Sequence, residues 1–161
     1  MKRNLSIIAI LVTGLTSSLS MAVDTANLAV SATVTGKCKF ATVGNLTFGT
    51  VSSPGVSIDP SDLGNATGIS TVTYRCTTGT AATSLGMGNG ANFSGTRRVA
   101  VVPVTGPFMG YGLVSAGFTQ TGAGFGGAVL TATVTGTILE ATHQVAAAGV
   151  YTDTVSITIN P

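Results

Sequence analysis

Nucleophilic catalysis needs a base beside the nucleophile. This sequence offers many serines and threonines but a single histidine, His143, in a polar stretch. No G-x-S-x-G elbow is present. Carboxylate pairs for acid–base work are equally scarce. Asp59 and Asp62 flank Pro60 in an expected turn, where Asp is favoured for bonding its own backbone, while Glu140 and Asp153 are isolated. Gly122-Ala-Gly124-Phe-Gly126-Gly127 matches G-x-G-x-x-G. A phosphate site on that motif requires a helix to leave it, and the exit AVLTATVTG reads as a strand, so a hairpin or bulge is expected. Cys38 and Cys76 have only His143 as a further soft ligand, which makes no metal set. Three N-x-S/T triplets, at Asn45, Asn65 and Asn92, are the chance matches a Thr-rich chain produces. Arg97-Arg98 reads as a solvated strand start whose stems cover apolar surface. The inventory points away from an enzyme, with no catalytic, cofactor-binding or metal-binding residue.

The elements around these residues explain more. Lys2 and Arg3 precede a mostly apolar run over residues 5–15, and Ser20-Met21-Ala22 supplies small residues for a peptidase. Residues 1–22 are therefore expected to be a signal peptide cut after Ala22, since the apolar part is shorter than a membrane span. The remainder, 23–161, is long enough for one domain with a sizeable core. It carries five basic residues (Lys37, Lys39, Arg75, Arg97, Arg98) and five acidic ones (Asp24, Asp59, Asp62, Glu140, Asp153). So few charges, in balance, give no footprint for nucleic acid or an anionic membrane, and near-zero net charge favours self-association. Export makes a Cys38–Cys76 disulfide the default reading, with two free thiols or half a metal site as alternatives. Closing that loop stabilises the fold by about 4 kcal/mol in the chain-entropy model.

Thr, Val, Gly and Ala dominate the chain after residue 22, and no helical period follows the signal. Strands are predicted at 27–35, 45–51, 69–76, 83–88, 98–104, 110–115, 128–138 and 149–159. Turn signals at 53–55, 59–62, 88–90, 106–107 and 122–127 separate them. Residues 139–148 read as a loop rather than one helical turn. Many short strands without intervening helices predict an all-β antiparallel sandwich.

Several separated segments line up with one family. They are the alternating run before the first cysteine, Leu46-Thr47-Phe48-Gly49, Val72-Thr73-Tyr74-Arg75-Cys76, and Ser84-Leu85-Gly86 through Gly90 to Arg97-Arg98. Gly110-Tyr111-Gly112-Leu113, Thr135-Gly136-Thr137-Ile138 and a final G-x-Y-x-D-x-V-x-I-x-I over residues 149–159 complete the set. This resembles the spore coat protein U domain, the subunit family of archaic chaperone–usher pili. The resemblance implies an incomplete immunoglobulin-like sandwich whose missing strand leaves a groove beside the C-terminal strand. A periplasmic chaperone fills the groove first, and the N-terminal segment of a neighbouring subunit fills it in the fibre. It also implies passage through the periplasm, an outer-membrane usher, and a surface fimbria serving adhesion and biofilm formation. The chain departs from the family in ending Asn160-Pro161 rather than on an aromatic or aliphatic residue, which bears on the chaperone contact, since proline cannot donate to a ladder.

The residues themselves lead the same way. Leu28, Val30, Ala32 and Val34 alternate with polar or small neighbours, giving an early segment one apolar edge. Val155, Ile157 and Ile159 present a second such edge with no later strand to cover it. Residues 23–36 are accordingly expected to be a donor segment, 37–161 the sandwich, and Val155, Ile157 and Ile159 the acceptor and chaperone edge. The alternative is a secreted coat-forming or ligand-binding module whose first strand completes its own sheet as a monomer.

Overall fold

The computed structural model describes residues 23–49, 55, 57–101, 103 and 106–161. The expected signal peptide lies outside the described residues, as do residues 50–51 and 102 and 104 of two expected strands. No helix among the described residues is long and apolar enough to cross a membrane.

The chain divides between Thr33 and Val34. In the first unit, residues 23–33 form no helix or strand. Leu28 and Val30 are 86% and 84% exposed. Alternation alone predicts a strand at 27–35, and none forms there. A strand is held by a neighbouring ladder, and this segment has none.

The second unit is almost wholly antiparallel β-structure. Its strands are β1 (Cys38–Val43), β2 (Ala66–Cys76), β3 (Ser84–Met87), β4 (Arg97–Val101), β5 (Phe108–Ala116), β6 (Leu130–Ile138), β7 (Tyr151–Thr152) and β8 (Ile157–Asn160). A six-stranded sheet runs β1-β2-β6-β5-β4-β7, and β3 and β8 form a second, two-stranded sheet. The central pair shows why the sequence folds so. Along β2, Ala66, Gly68, Ser70, Val72, Tyr74 and Cys76 are buried, and along β6 Leu130, Ala132, Val134, Gly136 and Ile138 are buried. The period of two puts one row inward and a row of threonines outward. Thr71 faces Thr133 and Thr73 faces Thr131 across the outer face. Leu85 of β3 and Ile157 and Ile159 of β8 pack with Val72 and Val134, so the small sheet covers the inner face of the large one.

Three expectations are corrected. β1 was not among the predicted strands, and it forms beside β2 because Cys38 and Cys76 are register partners and are bonded to each other, with Cα atoms 4.0 Å apart. The Leu46–Phe48 part of the expected strand 45–51 joins no strand, although Gly49 makes an isolated bridge to Thr67. It instead crosses the glycine pair Gly68 and Gly136, which face each other on the inner surface. A Cβ on Gly68 would stand 2.5 Å from the Thr47 carbonyl oxygen, and one on Gly136 would stand 2.7 Å from the Phe48 ring. Finally, residues 139–148 are not all loop, for α1 (Glu140–His143) is a single helical turn. Tertiary partners hold it: Asn65 Oδ1 accepts the Glu140 N–H at 3.1 Å, and Glu140 Oε2 accepts the Gly64 N–H at 2.8 Å.

Candidate functional site

The final alternating motif does not make one strand. The expected strand 149–159 breaks at Asp153, where the chain leaves the large sheet and enters the small one. β7 pairs with β4 through Ala100 and Thr152, and β8 pairs with β3 through Leu85 and Ile159. The Asp153 carboxylate holds this corner. Its Oδ1 accepts the N–H groups of Ala91 and Thr154, both at 2.8 Å, and of Asn92 at 3.2 Å. Its Oδ2 accepts the Tyr111 hydroxyl at 2.6 Å. Sequence reasoning sets Asp153 aside as isolated and names Tyr111 only within Gly110-Tyr111-Gly112-Leu113, so it misses the pair; a lone carboxylate in a neutral alternating run is the signal that could have found it.

Beside this corner lies an open groove. It measures about 990 Å³ and runs over the inner face of the large sheet. Its floor comes from Val72, Val134 and Ile138, and Met109 and Leu113 of β5 extend it. Leu46 and Phe48 form one wall, Met87, Val155 and Ile157 another. Phe48 meets Tyr111 edge to face, with ring centroids 5.8 Å apart. Folded interiors pack to crystal-like density with few voids larger than one water. This space equals roughly thirty waters of liquid volume.

Each expected site residue can now be placed. Cys38 and Cys76 form the disulfide at one end of β2. Val155 and Ile157 line the groove, whereas Ile159 packs on the Tyr74 and Val72 clusters. All three are half-buried and alternate with exposed Thr154, Ser156, Thr158 and Asn160. Leu28, Val30, Ala32 and Val34 are exposed. His143 is not in an open polar loop: it is 1% exposed and its Nε2 lies 2.9 Å from the Gly64 carbonyl oxygen. The arginine pair is not merely solvated either. Arg97 donates to the Gly88 and Met87 carbonyls, both at 2.8 Å, while Arg98 donates to Asn92 O at 3.0 Å and lies 4.2 Å over the Phe108 ring. The glycine run at 122–127 ties the turn before β6 to the end of β2, with Gly124 N–H bonded to Cys76 O at 3.1 Å. A strand follows it, as expected.

The Spore Coat Protein U domain model matches residues 24–158. The chain belongs to that family. Spore Coat Protein U domains are associated with chaperone–usher pilus subunits and are structural rather than enzymatic. The family assignment suggests an exported surface or coat protein. No curated protein and no solved structure matches the chain.

Tyr111 gives this Spore Coat Protein U domain a pH signature. Burial, then the hydrogen bond and charge of Asp153, push its hydroxyl well above the ordinary tyrosine value of 10.0. A pKa raised on folding means that the unfolded chain gives up its proton first. The contribution is therefore complete below about pH 10 and lost as pH rises above it. Urea unfolding between pH 9 and 11.5 should show stability falling with pH. Tyr111→Phe should flatten that fall and lower stability at pH 7 by about 1–2 kcal/mol through the lost charge-assisted bond.

Proposed function

We propose that the chain is a structural subunit of a surface fimbria, assembled by a chaperone–usher pathway through donor-strand exchange. The observation that carries this reading is the apolar groove of about 990 Å³ in a sandwich core. In the fibre, residues 23–36 of one copy complete the sandwich of the next, with Leu28, Val30, Ala32 and Val34 turned into the groove. Those four positions span roughly 20 Å at the usual strand rise. β8 pairs only with β3 among the described residues, so its second edge carries backbone groups open to an added strand. Chaperone–pilin complementation is an established example of such strand addition.

Val155, Ile157 and Ile159 are the edge that a periplasmic chaperone holds before assembly, and an outer-membrane usher passes the subunit to its neighbour. Adhesion and biofilm formation follow from the fibre rather than from chemistry at a catalytic centre. The test is gel migration of surface extracts with and without boiling. A heat-sensitive ladder is the expected result. One band at the monomer position under both conditions would sink the reading, and would favour the self-complemented coat or binding module.

A further inference from the structure

The charges are sorted along the strand axis. At the Cys76 end of β2, Lys39 and Arg75 are register partners and Lys37 donates its N–H to Thr77 Oγ1 at 3.1 Å. Lys39, Arg75 and Phe125 line a shallow recess of about 260 Å³, and Phe125 is 51% exposed. At the Ala66 end, the turn carrying Asp59 and Asp62 is closed by the Asp62 N–H on Asp59 O at 3.1 Å. Glu140 stands beside it, bonded to Gly64 N–H. Ser61 holds the Asp59 carboxyl below its ordinary range through its hydroxyl and N–H, so it stays ionised at neutral pH. Leu63, within this acidic end, is 78% exposed. The remaining charges of the sandwich sit apart. Arg97 and Asp153 share Tyr111 as a neighbour, and Arg98 on β4 lies over Phe108.

The 11 residues of β2 separate the poles by roughly 35 Å. That is several Debye lengths at physiological salt. Within one molecule the poles therefore do not attract each other. We propose that the poles bind each other between copies. The Lys37, Lys39 and Arg75 end of one chain docks on the Asp59, Asp62 and Glu140 end of the next, with Leu63 entering the recess beside Phe125. Charged rims around an apolar anchor are the usual anatomy of a specific interface.

This inference rests on the donor-strand reading, and two further observations join them. Thr77 donates its N–H to the Lys37 carbonyl at 2.9 Å, which holds the root of the leading segment at the basic pole. A leader seated in a neighbour's groove therefore brings its own cations along. The groove reaches the acidic pole at His143 and Pro60. There, His143 Nε2 needs its proton for the Gly64 carbonyl, which leaves Nδ1 a buried acceptor without a partner. An incoming chain with N–H or O–H donors would satisfy it. Seated with its root at this end, the leader sets cations on carboxylates. Reversed, it would carry them away from those carboxylates.

The experiment follows growth of polymers of the mature chain, leader included, at 50 and 500 mM NaCl by light scattering and unboiled gels. Wild type should grow about tenfold more slowly at high salt, as steered association does. K37E/K39E and D59K/D62K should each grow about tenfold more slowly at low salt, and the two pairs combined in one chain should restore growth. Carbodiimide treatment of wild-type polymers, which needs no variant, should link Lys37 or Lys39 of one copy to Asp59 or Asp62 of another. Wild-type growth and salt response in both reversed variants, or the absence of those links, would overturn the proposal. Growth by a chain lacking residues 23–35 would instead overturn the donor-strand reading, so the two failures are distinguishable.

Discussion

Deletion of residues 23–35 is expected to abolish the heat-sensitive ladder while leaving a domain that still associates with its chaperone. Burying Leu28, Val30, Ala32 and Val34 contributes on the order of 5 kcal/mol at about 1–2 kcal/mol per side chain. That corresponds to roughly three orders of magnitude in subunit affinity before any backbone ladder is counted. Val30→Asp should act almost as strongly as the deletion, because it removes one anchor and carries a charge into an apolar groove. Val30→Ile should be tolerated, since the groove has space to spare. The polar edge gives the control: Ser31→Asp should leave the ladder largely intact. Fibres from the deleted chain would refute the account.

Replacing Cys38 and Cys76 by serine is expected to have the second largest effect. Cys76 is fully buried at the end of a central strand, and Cys38 opens edge strand β1, whose register with β2 slips between Phe40 and Thr42. Removing the bridge takes away about 4 kcal/mol in the chain-entropy model, a large share of the roughly 5–15 kcal/mol that holds an ordinary domain together. The urea midpoint should fall steeply, and the yield of exported protein with it. The bridge also has a mechanical consequence. The leading segment joins the sandwich immediately before Cys38, so in a fibre built as proposed tension would enter there, and the disulfide would hand it to β2 and spare the ladder of β1. Single-fibre pulling should therefore show subunits opening at lower force after reduction.

What the sequence made legible divides along physical lines. β2 and β6 were readable because each buries one face, which writes a two-residue period into the sequence. The disulfide was readable from the expected export and the presence of only two cysteines. β1 was not, because CKFATV at a sheet edge is mostly exposed and carries little alternation. The break at Asp153 was hidden because alternation continues across it. Residues 151–160 keep the same in–out pattern while the chain changes sheets, and only the carboxylate's four partners, from three parts of the chain, reveal the corner. The leader shows the converse failure. Its pattern is strand-like, yet residues 23–33 form no strand, since a pattern specifies a face and says nothing of which molecule covers it. His143 reads as part of a polar loop for a similar reason: its hydrogen-bond partner, the Gly64 carbonyl, lies 79 residues away in the chain.

The most direct test asks whose groove the leader occupies. Two variants of the mature chain, Val30→Cys and Met87→Cys, would be expressed together and separately under mild oxidation, along with a single chain carrying both changes. The account predicts a covalent link between the Val30→Cys and Met87→Cys chains, absent when either is expressed alone, and covalent multimers from the doubly changed chain. A doubly changed chain that closes on itself as a monomer, with no link between separate chains, would contradict it.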